Sequence, residues 1–380
     1  MRRLFFMQVL VAWLVFATVG VPWGQAAPNL RTMRNHYFEV VGLDLRSVSY
    51  VNELSAYSVE IAQRYLEREG LAFPQPILIS LRPEAHVDFE GDYRVRLAER
   101  NSVCLDLRWE DDMTLKRTCR GIAEALLRQY AVFNYGTGAA ANLRAWPVEA
   151  LAGEIYYGLR AAEFVESLQR RRGLPPLVLT EVVEALQSEV SMSSDSGYWL
   201  LSVMKASGLK RDRIIGLFQQ ATAGIDVEEA ITSAIQPNSP TAEPVSGQVW
   251  FAEQLTVLLA QEYDVIESMD TSRTWLAKLA SLEEPLQLES GVELKLNLRS
   301  LWTHRAEPAV RARIQARYEI LLLRMSRINP AYFNPARSLG VLFEGILQEV
   351  PAHQYLHYLA IYLTDWEDAK EMQAELERHL

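Results

Sequence analysis

The amino-acid sequence predicts an α+β protein that is predominantly helical. Segments with the alternating or continuous apolar pattern of β-strands are predicted only between residues 37 and 107. From about residue 145 onward, apolar residues recur with helical spacing. A block of strands followed by a long run of helices is typical of an α+β front part with a helical bundle behind it.

The front part is predicted to combine four strands with two helices. The first helix covers residues 47–70, and the second covers 114–133, where Ile122, Leu126 and Tyr130 fall on one stripe. The strands are predicted at residues 37–43, 76–81, 93–97 and 102–107.

The rear part follows a predicted loop at residues 136–142, which is rich in Gly, Ala and Asn. Pro147 suits the first turn of a new helix because it has no backbone N–H to leave unpaired. An apolar face from Val148 to Ala162 continues that helix. Further helices are predicted at residues 178–190, 196–207, 211–221, 226–234, 249–266, 271–281, 307–326, 336–349 and 352–379.

The N-terminus has the features of a signal peptide. Arg2 and Arg3 form a positive start, an uncharged apolar run follows over residues 4–21, and the small residues Gly24 and Ala26 suit signal peptidase. We therefore expect cleavage after Ala26 and export to the periplasm or the extracellular space. The alternative is an uncleaved anchor, because an apolar run of about 18 residues can span a bilayer.

Composition limits the function classes. The formal net charge of −10 disfavours nucleic-acid binding, which needs a basic surface. No second uncharged apolar run matches the first in length, so no stable transmembrane segment is expected after signal removal. Cys104 and Cys119 either form a disulfide in an oxidising compartment or remain buried thiols. A zinc site built on two cysteines alone is not expected.

The chain is long enough for two or three domains. The stretch 236–248, rich in Pro and Ser, is its clearest linker. The predicted organisation is a signal peptide at 1–26, an α+β domain at 27–165, a helical extension at 166–235, the linker at 236–248 and a C-terminal helical domain at 249–380.

Two segments carry a resemblance to a known family. They are 120–130, RGIAEALLRQY, and 146–152, WPVEALA, on two successive predicted helices. In their order after the strands they resemble a gluzincin metallopeptidase domain, most similar to the peptidase MA-like families of secreted bacterial proteins. In that family the first helix carries H-E-x-x-H, and a segment like W-x-x-E-G-L-A supplies a glutamate as third ligand. The resemblance covers about residues 37–235 and implies a zincin-like fold for residues 27–165.

The residues that bind and use zinc in that family are replaced here. In the family, two imidazoles four residues apart bind the metal, and the glutamate beside the first takes a proton from the zinc-bound water. By correspondence, the histidine positions are Arg120 and Glu124, and the general-base position is Gly121. Only the third ligand position keeps its type, as Glu149. An arginine repels a divalent cation, so the resemblance implies a degenerate, metal-free site without a cofactor.

Arg120, Glu124 and Glu149 have two interpretations. Arg120 and Glu124 are spaced i, i+4 and can pair, and with Glu149 opposite them the arginine would replace the metal as a cross-link between two helices. Alternatively, all three are solvated surface charges. Tyr156, two turns beyond Glu149, would either line the old cleft or pack in the core.

His353 and His357 are also four residues apart, on the predicted helix 352–379. Glu367 and Glu371 could supply a third ligand, but both lie ten or more residues further along the same helix. A straight helix rises about 1.5 Å per residue and cannot wrap a metal over that distance. We therefore expect no metal site here and interpret the pair as interfacial histidines of an amphipathic helix.

The sequence thus predicts an exported, non-catalytic relic of a zinc-peptidase fold. Such a pseudoenzyme would bind or scaffold in the cell envelope, with a protein, a peptide or a cell-wall component as ligand, because a substrate groove can outlive its chemistry. Two alternatives stay open. One is a hydrolase with unrecognised catalytic residues, for which Glu124, Glu149 and Glu154 are candidates. The other is a purely structural helical scaffold.

Overall fold

A computed structural model describes residues 30–66, 71, 73–98, 101–110, 114–188, 194–236, 245–282, 284–287 and 293–379. The predicted signal peptide at 1–26 and most of the predicted linker at 236–248 lie outside the described residues.

A mixed five-stranded sheet forms the front of the fold, in the order β1-β2-β3-β5-β4. Strands β2, β3 and β5 are parallel neighbours, and β1 and β4 are antiparallel edge strands. Four of the strands were predicted to within one residue at each end. The first was not, because only Met33 of its four residues is buried and no alternation is visible. The strands are β1 (Arg31–Arg34), β2 (Phe38–Gly42), β3 (Ile77–Arg82), β4 (Tyr93–Leu97) and β5 (Val103–Arg108).

Two long helices, α1 (Leu45–Leu66) and α2 (Leu115–Tyr135), pack on one face of this sheet. Fully buried strand residues such as Ile79 and Leu105 point toward them. Because side chains alternate along a strand, the neighbouring Asp106 lies on the opposite face. It is enclosed there by three arginines of β3 and β4, namely Arg82, Arg94 and Arg96.

The rest of the described chain is almost entirely helical, as predicted. No helix within the described ranges combines the length and apolar composition needed to cross a bilayer. The helices are α3 (Thr137–Ala141), α4 (Ala145–Leu159), α5 (Ala161–Arg172), α6 (Leu179–Glu184), α7 (Ser196–Ala206), α8 (Arg211–Thr222), α9 (Glu228–Ala234), α10 (Gly247–Ala260), α11 (Met269–Ala280), α12 (Pro308–Arg324), α13 (Phe333–Leu347) and α14 (Ala352–His379). A short hairpin, β6 (Leu286–Gln287) and β7 (Glu293–Leu294), interrupts them.

Several predicted boundaries were wrong. The predicted loop at 136–142 contains the one-turn helix α3, which follows Gly136 in a positive-φ conformation. The helical pattern running on to Ala162 is broken at Arg160, whose ψ of 62° is not helical. The helix predicted at 178–190 stops at Glu184, because Ala185 and Gln187 instead form backbone hydrogen bonds with the strand-like segment before α4.

Three helices meet where the sequence placed its candidate site. α4 packs against α2 on one side and against α7 on the other. The helix predicted at 114–133 and the helix predicted to begin near Pro147 therefore pack against each other.

Buried ion pairs join the rear helices to the front. Glu53 of α1 accepts hydrogen bonds from Arg313 at 2.9 Å and from Arg317 at 3.0 Å, and both arginines belong to α12. Two turns further along α12, Arg324 pairs with Glu267 at 2.6 Å and donates to the Tyr57 hydroxyl of α1 at 3.0 Å. All of these side chains are buried or nearly so.

Candidate functional site

Helix α2 holds three of the predicted site positions. Its first turn is capped by the Thr114 hydroxyl, which accepts a hydrogen bond from the Arg117 N–H. It ends at Gly136, whose φ of 90° favours glycine and terminates the helix. Between these ends, Arg120, Gly121 and Glu124 are all buried. The alternative of solvated surface charges therefore does not describe the structure.

Helix α4 supplies the fourth position. Pro147 lies in its first turn, as the sequence predicts. Glu149 follows on the side that faces α2, and 4% of its surface is exposed. The predicted third-ligand position is therefore next to α2, within the protein interior.

Arg120 links α2 to two other parts of the fold. Its Nη2 lies 3.5 Å from Oε1 of Glu149. Its Nη1 donates to the Ser194 carbonyl at 2.9 Å, just ahead of α7. The two side chains of the ion pair are 6% and 2% exposed, so this is a buried pair rather than a solvated one.

Glu149 also caps helix α7. Its Oε2 accepts a hydrogen bond of 2.6 Å from the Gly197 N–H, in the first turn of that helix. A carboxylate is favourable here because the N-terminal N–H groups lack helical partners and carry partial positive charge. Burial raises the pKa of the Glu149 carboxyl, although the Gly197 N–H and Arg120 act in the opposite direction.

Glu124 is bound by a different set of partners. Arg128, one turn later on α2, donates to its Oε1 at 2.8 Å. Its Oε2 accepts from the Tyr93 hydroxyl at 2.9 Å and from the Gln187 amide at 2.8 Å. Burial, followed by the Glu124 charge, raises the pKa of Tyr93 well above its usual value. The predicted triad thus becomes two ion pairs, in which each carboxylate has its own arginine.

Gly121 is explained by packing. A Cβ atom at this position would lie 3.2 Å from side-chain atoms of Leu105 and Leu107 and 3.3 Å from the ring of Tyr93. The position that bears the general base in the family therefore faces the sheet here. Glycine allows α2 to approach β5 closely.

Of the two roles that the sequence allows for Tyr156, the structure shows packing: the residue is buried and is not among those that line the cleft beside Arg120 and Glu149. Its hydroxyl donates to Glu163 at the start of α5. Its ring packs edge-on against Tyr157, with centroids 5.1 Å apart. Tyr156 lies two turns after Glu149 on α4 and is buried, but its side chain contacts α5 rather than α2.

A cleft of about 310 Å³ opens beside the Arg120–Glu149 pair. Its lining residues form two further ion pairs, from Lys116 to Asp195 at 2.6 Å and from Arg117 to Asp92 at 3.0 Å. All three cations come from α2, and their carboxylates come from three other segments. The cleft is lined by Asp92, Tyr93, Thr114, Lys116, Arg117, Arg120, Glu149, Ala152, Gly153, Ser194 and Asp195.

The sequence analysis did not identify the ion pairs that Lys116 and Arg117 form in this cleft. One signal was available: the first turn of α2 contains Lys116 and Arg117 but no acidic residue. Cations are unfavourable at that end of a helix, so their presence needs a partner from elsewhere in the fold. Asp195 and Asp92 could not be assigned as those partners from sequence spacing.

The arrangement does not fit zinc. The position that the resemblance assigns to the first ligand is a cation, Arg120, and the position that it assigns to the base is Gly121, which has no side chain. Both oxygens of Glu124 and both of Glu149 already accept hydrogen bonds or ion pairs from protein groups. In the part of the chain that the structure describes, no three or more His, Cys, Asp or Glu residues are grouped to hold a metal ion.

The remaining candidate residues lie elsewhere. Cys104 on β5 and Cys119 on α2 are both buried free thiols, and burial raises the pKa of each. His353 and His357 both lie exposed on α14. Glu154 is bound by the Tyr65 hydroxyl at 2.8 Å and by Lys205 at 2.9 Å.

Compared with protein-family models, curated proteins and solved structures, the chain has no match in any of the three.

Proposed function

We propose that the protein is an exported, non-catalytic relic of a zinc-peptidase fold, which binds a protein, peptide or cell-wall component of the cell envelope through the cleft beside Arg120 and Glu149. Export rests on the signal-peptide pattern of residues 1–26. Descent from a peptidase rests on the resemblance of α2 and α4 to the family's two helices.

One observation carries the non-catalytic part of the proposal. The groups that stand at the metal-binding positions are engaged with each other and with the protein. Arg120 bridges Glu149 and the Ser194 carbonyl, Glu149 caps α7, and Glu124 is held by Arg128 and Tyr93. At these positions neither carboxylate is free to bind a metal or to take a proton from a substrate water.

The binding part of the proposal rests on the cleft beside Arg120 and Glu149. The cleft has a volume within the lower range of small-ligand sites, which begins at about 300 Å³. Tyr93, one of its lining residues, begins the edge strand β4. An extended chain can add to such an edge through backbone hydrogen bonds, while the cleft receives a side chain or a terminus.

Metal content tests the relic site. The mature protein is dialysed against chelator, its metal is measured by elemental mass spectrometry, and its melting temperature is recorded with and without chelator. We expect less than about 0.1 metal per chain and an unchanged melt, since only a ligand that binds the native state raises stability. Retained zinc near one per chain, together with a melt lowered by chelator, would contradict the proposal.

Activity is tested separately with peptide and glycan libraries. We expect no hydrolysis by the wild type. Hydrolysis that disappears in Glu149→Gln would instead support the hydrolase alternative.

Ligand binding is tested by screening immobilised peptides and cell-wall fragments with two matched variants. Lys116 lines the cleft and is 37% exposed, and Lys205 lies outside it and is 48% exposed. Each is paired with one carboxylate, so Lys116→Gln and Lys205→Gln remove equivalent surface pairs. We expect the first variant to weaken binding and the second to leave it unchanged. Equal effects, or binding by residues 249–380 alone, would favour the scaffold alternative.

A further inference from the structure

The histidine pair on α14 lies outside the proposed cleft function. Helix α14 covers Ala352–His379, and its buried face is formed by residues such as Tyr355, Leu359 and Tyr362. His353 and His357 lie on the other side of the helix, one turn apart, and both are exposed.

The turn that bears this pair is held firmly in place. Tyr355, between the two histidines, is fully buried, and its hydroxyl donates to the Leu298 carbonyl at 2.5 Å. Just before the helix, the Val350 carbonyl accepts from the Trp302 indole at 2.9 Å. The backbone of His353 and His357 is therefore already fixed before a ligand binds. Binding would have to order only the two exposed imidazole side chains.

The spacing of the two imidazoles suits chelation. Residues i and i+4 of a helix have Cβ atoms about 6 Å apart on one side. The same spacing holds zinc from one helix in the H-E-x-x-H motif. Imidazole nitrogen is a ligand preferred by Zn²⁺, Ni²⁺ and Cu²⁺, whereas Mg²⁺ and Ca²⁺ prefer oxygen.

We propose that His353 and His357 together bind one divalent transition-metal cation on the surface of α14, with water in the remaining coordination positions. The sequence argument against a metal site here concerned a third ligand from the same helix, Glu367 or Glu371. The proposed site needs no such ligand, because it has two protein ligands. It is therefore an open, exchangeable site. The net charge of −10 on the chain favours the approach of a cation.

Within this class, affinity should follow the general order for nitrogen ligands, with Cu²⁺ above Ni²⁺ and Ni²⁺ above Zn²⁺. The inference is independent of the relic cleft, because neither histidine lines it.

The test is calorimetric titration of the untagged mature protein with Ni²⁺ and Zn²⁺. The informative variants are His353→Gln, His357→Gln and the double variant H357Q/A360H. The double variant keeps two exposed histidines, since Ala360 is exposed, but moves them seven residues apart. That separation is about 10 Å along the helix, which prevents both from binding one ion.

We expect one site per chain in the wild type. The Kd for the metal ion should rise by about tenfold or more in each single variant and in H357Q/A360H. Once one imidazole has bound the ion, the second is held nearby at a high effective concentration, and these variants remove that advantage. Wild-type affinity in H357Q/A360H would overturn the proposal, since single histidines would then account for binding. Unchanged affinity in both single variants would also overturn it, because the metal would then lie elsewhere.

Discussion

At the scale of single residues, the site is a set of charges that the protein has removed from water. Arg120, Glu124 and Glu149 are each about 5% exposed. Removing one partner of a buried pair is costly because the other charge remains without compensation. Two predictions follow from this burial.

Arg120→Met should destabilise the protein. It leaves the Glu149 carboxylate buried without its arginine and the Ser194 carbonyl without its donor. We expect a loss of about 3 kcal/mol in the free energy of unfolding, measured by urea denaturation. The double variant R120M/E149Q should recover part of that loss. Lys205→Met, which breaks the exposed pair with Glu154, should cost at most about 1 kcal/mol. Equal losses in the two single variants would contradict the buried-pair interpretation.

Glu149→Gln should change how stability depends on pH. The folded-state pKa of Glu149 is raised by burial, so folding favours the protonated form. Its contribution is fully present below the unfolded-state pKa of about 4.3 and is lost as the pH rises through the folded-state pKa. The wild-type free energy of unfolding minus that of E149Q should therefore fall as the pH rises from about 4 toward neutrality. Urea denaturation over this range measures the difference. A rise with pH would mean that Arg120 and Gly197 outweigh burial.

At the scale of secondary-structure elements, the site depends on how closely helices approach one another. Gly197, in the first turn of α7, lies directly against the backbone of Trp146 in the first turn of α4. This approach brings the Gly197 N–H to Glu149. In the same way, the absence of a side chain at Gly121 allows α2 to lie close to the sheet.

Gly197→Ala should therefore be strongly destabilising. The added Cβ would come within 2.8 Å of three backbone atoms of Trp146, which cannot move as a side chain can. We expect a loss of about 3 kcal/mol, the upper part of the usual range for overpacking. The matched control is Gly216→Ala on α8, where an added Cβ meets no atom within 4 Å. There alanine should stabilise by up to about 1 kcal/mol through its higher helix propensity. Thermal denaturation of both variants measures the contrast, and tolerance of alanine at 197 would contradict the close approach.

At the scale of the whole molecule, the predicted domains share contacts. Residues from Arg31 onward form one compact unit, and α12 from the predicted C-terminal domain packs against α1 from the predicted front domain. Glu53 joins the two through Arg313 and Arg317. The boundaries at 165, 235 and 249 remain predictions.

A protease site inserted within residues 237–244 tests this packing. After cleavage, the two fragments should co-elute in size-exclusion chromatography, because α12 remains packed on α1. Glu53→Gln in the cleaved protein should lower the urea concentration at which they separate, since it removes the buried carboxylate that pairs with both Arg313 and Arg317. Separation of the fragments without denaturant would show that the interface is weak.

Much of the fold could be predicted because its signals are local. The strands at 77–82 and 103–108 and the helix at 115–135 follow from alternation and helical periodicity within a few residues. The early end of α6 could not be predicted. It depends on backbone partners that lie far away in the sequence, such as Leu143 for Gln187.

The candidate site, like the fold, could be predicted only in part from the sequence. The amino-acid sequence was enough to place Arg120, Gly121, Glu124 and Glu149 on two successive helices, because residue identity and helical spacing are properties of the chain alone. The three-dimensional packing was needed to show which arginine pairs with which carboxylate, that Tyr156 contacts α5, and that Asp195 and Asp92 line the cleft. Those facts depend on how elements separated in sequence pack together, and side chains pair with whatever that packing brings within a few ångströms.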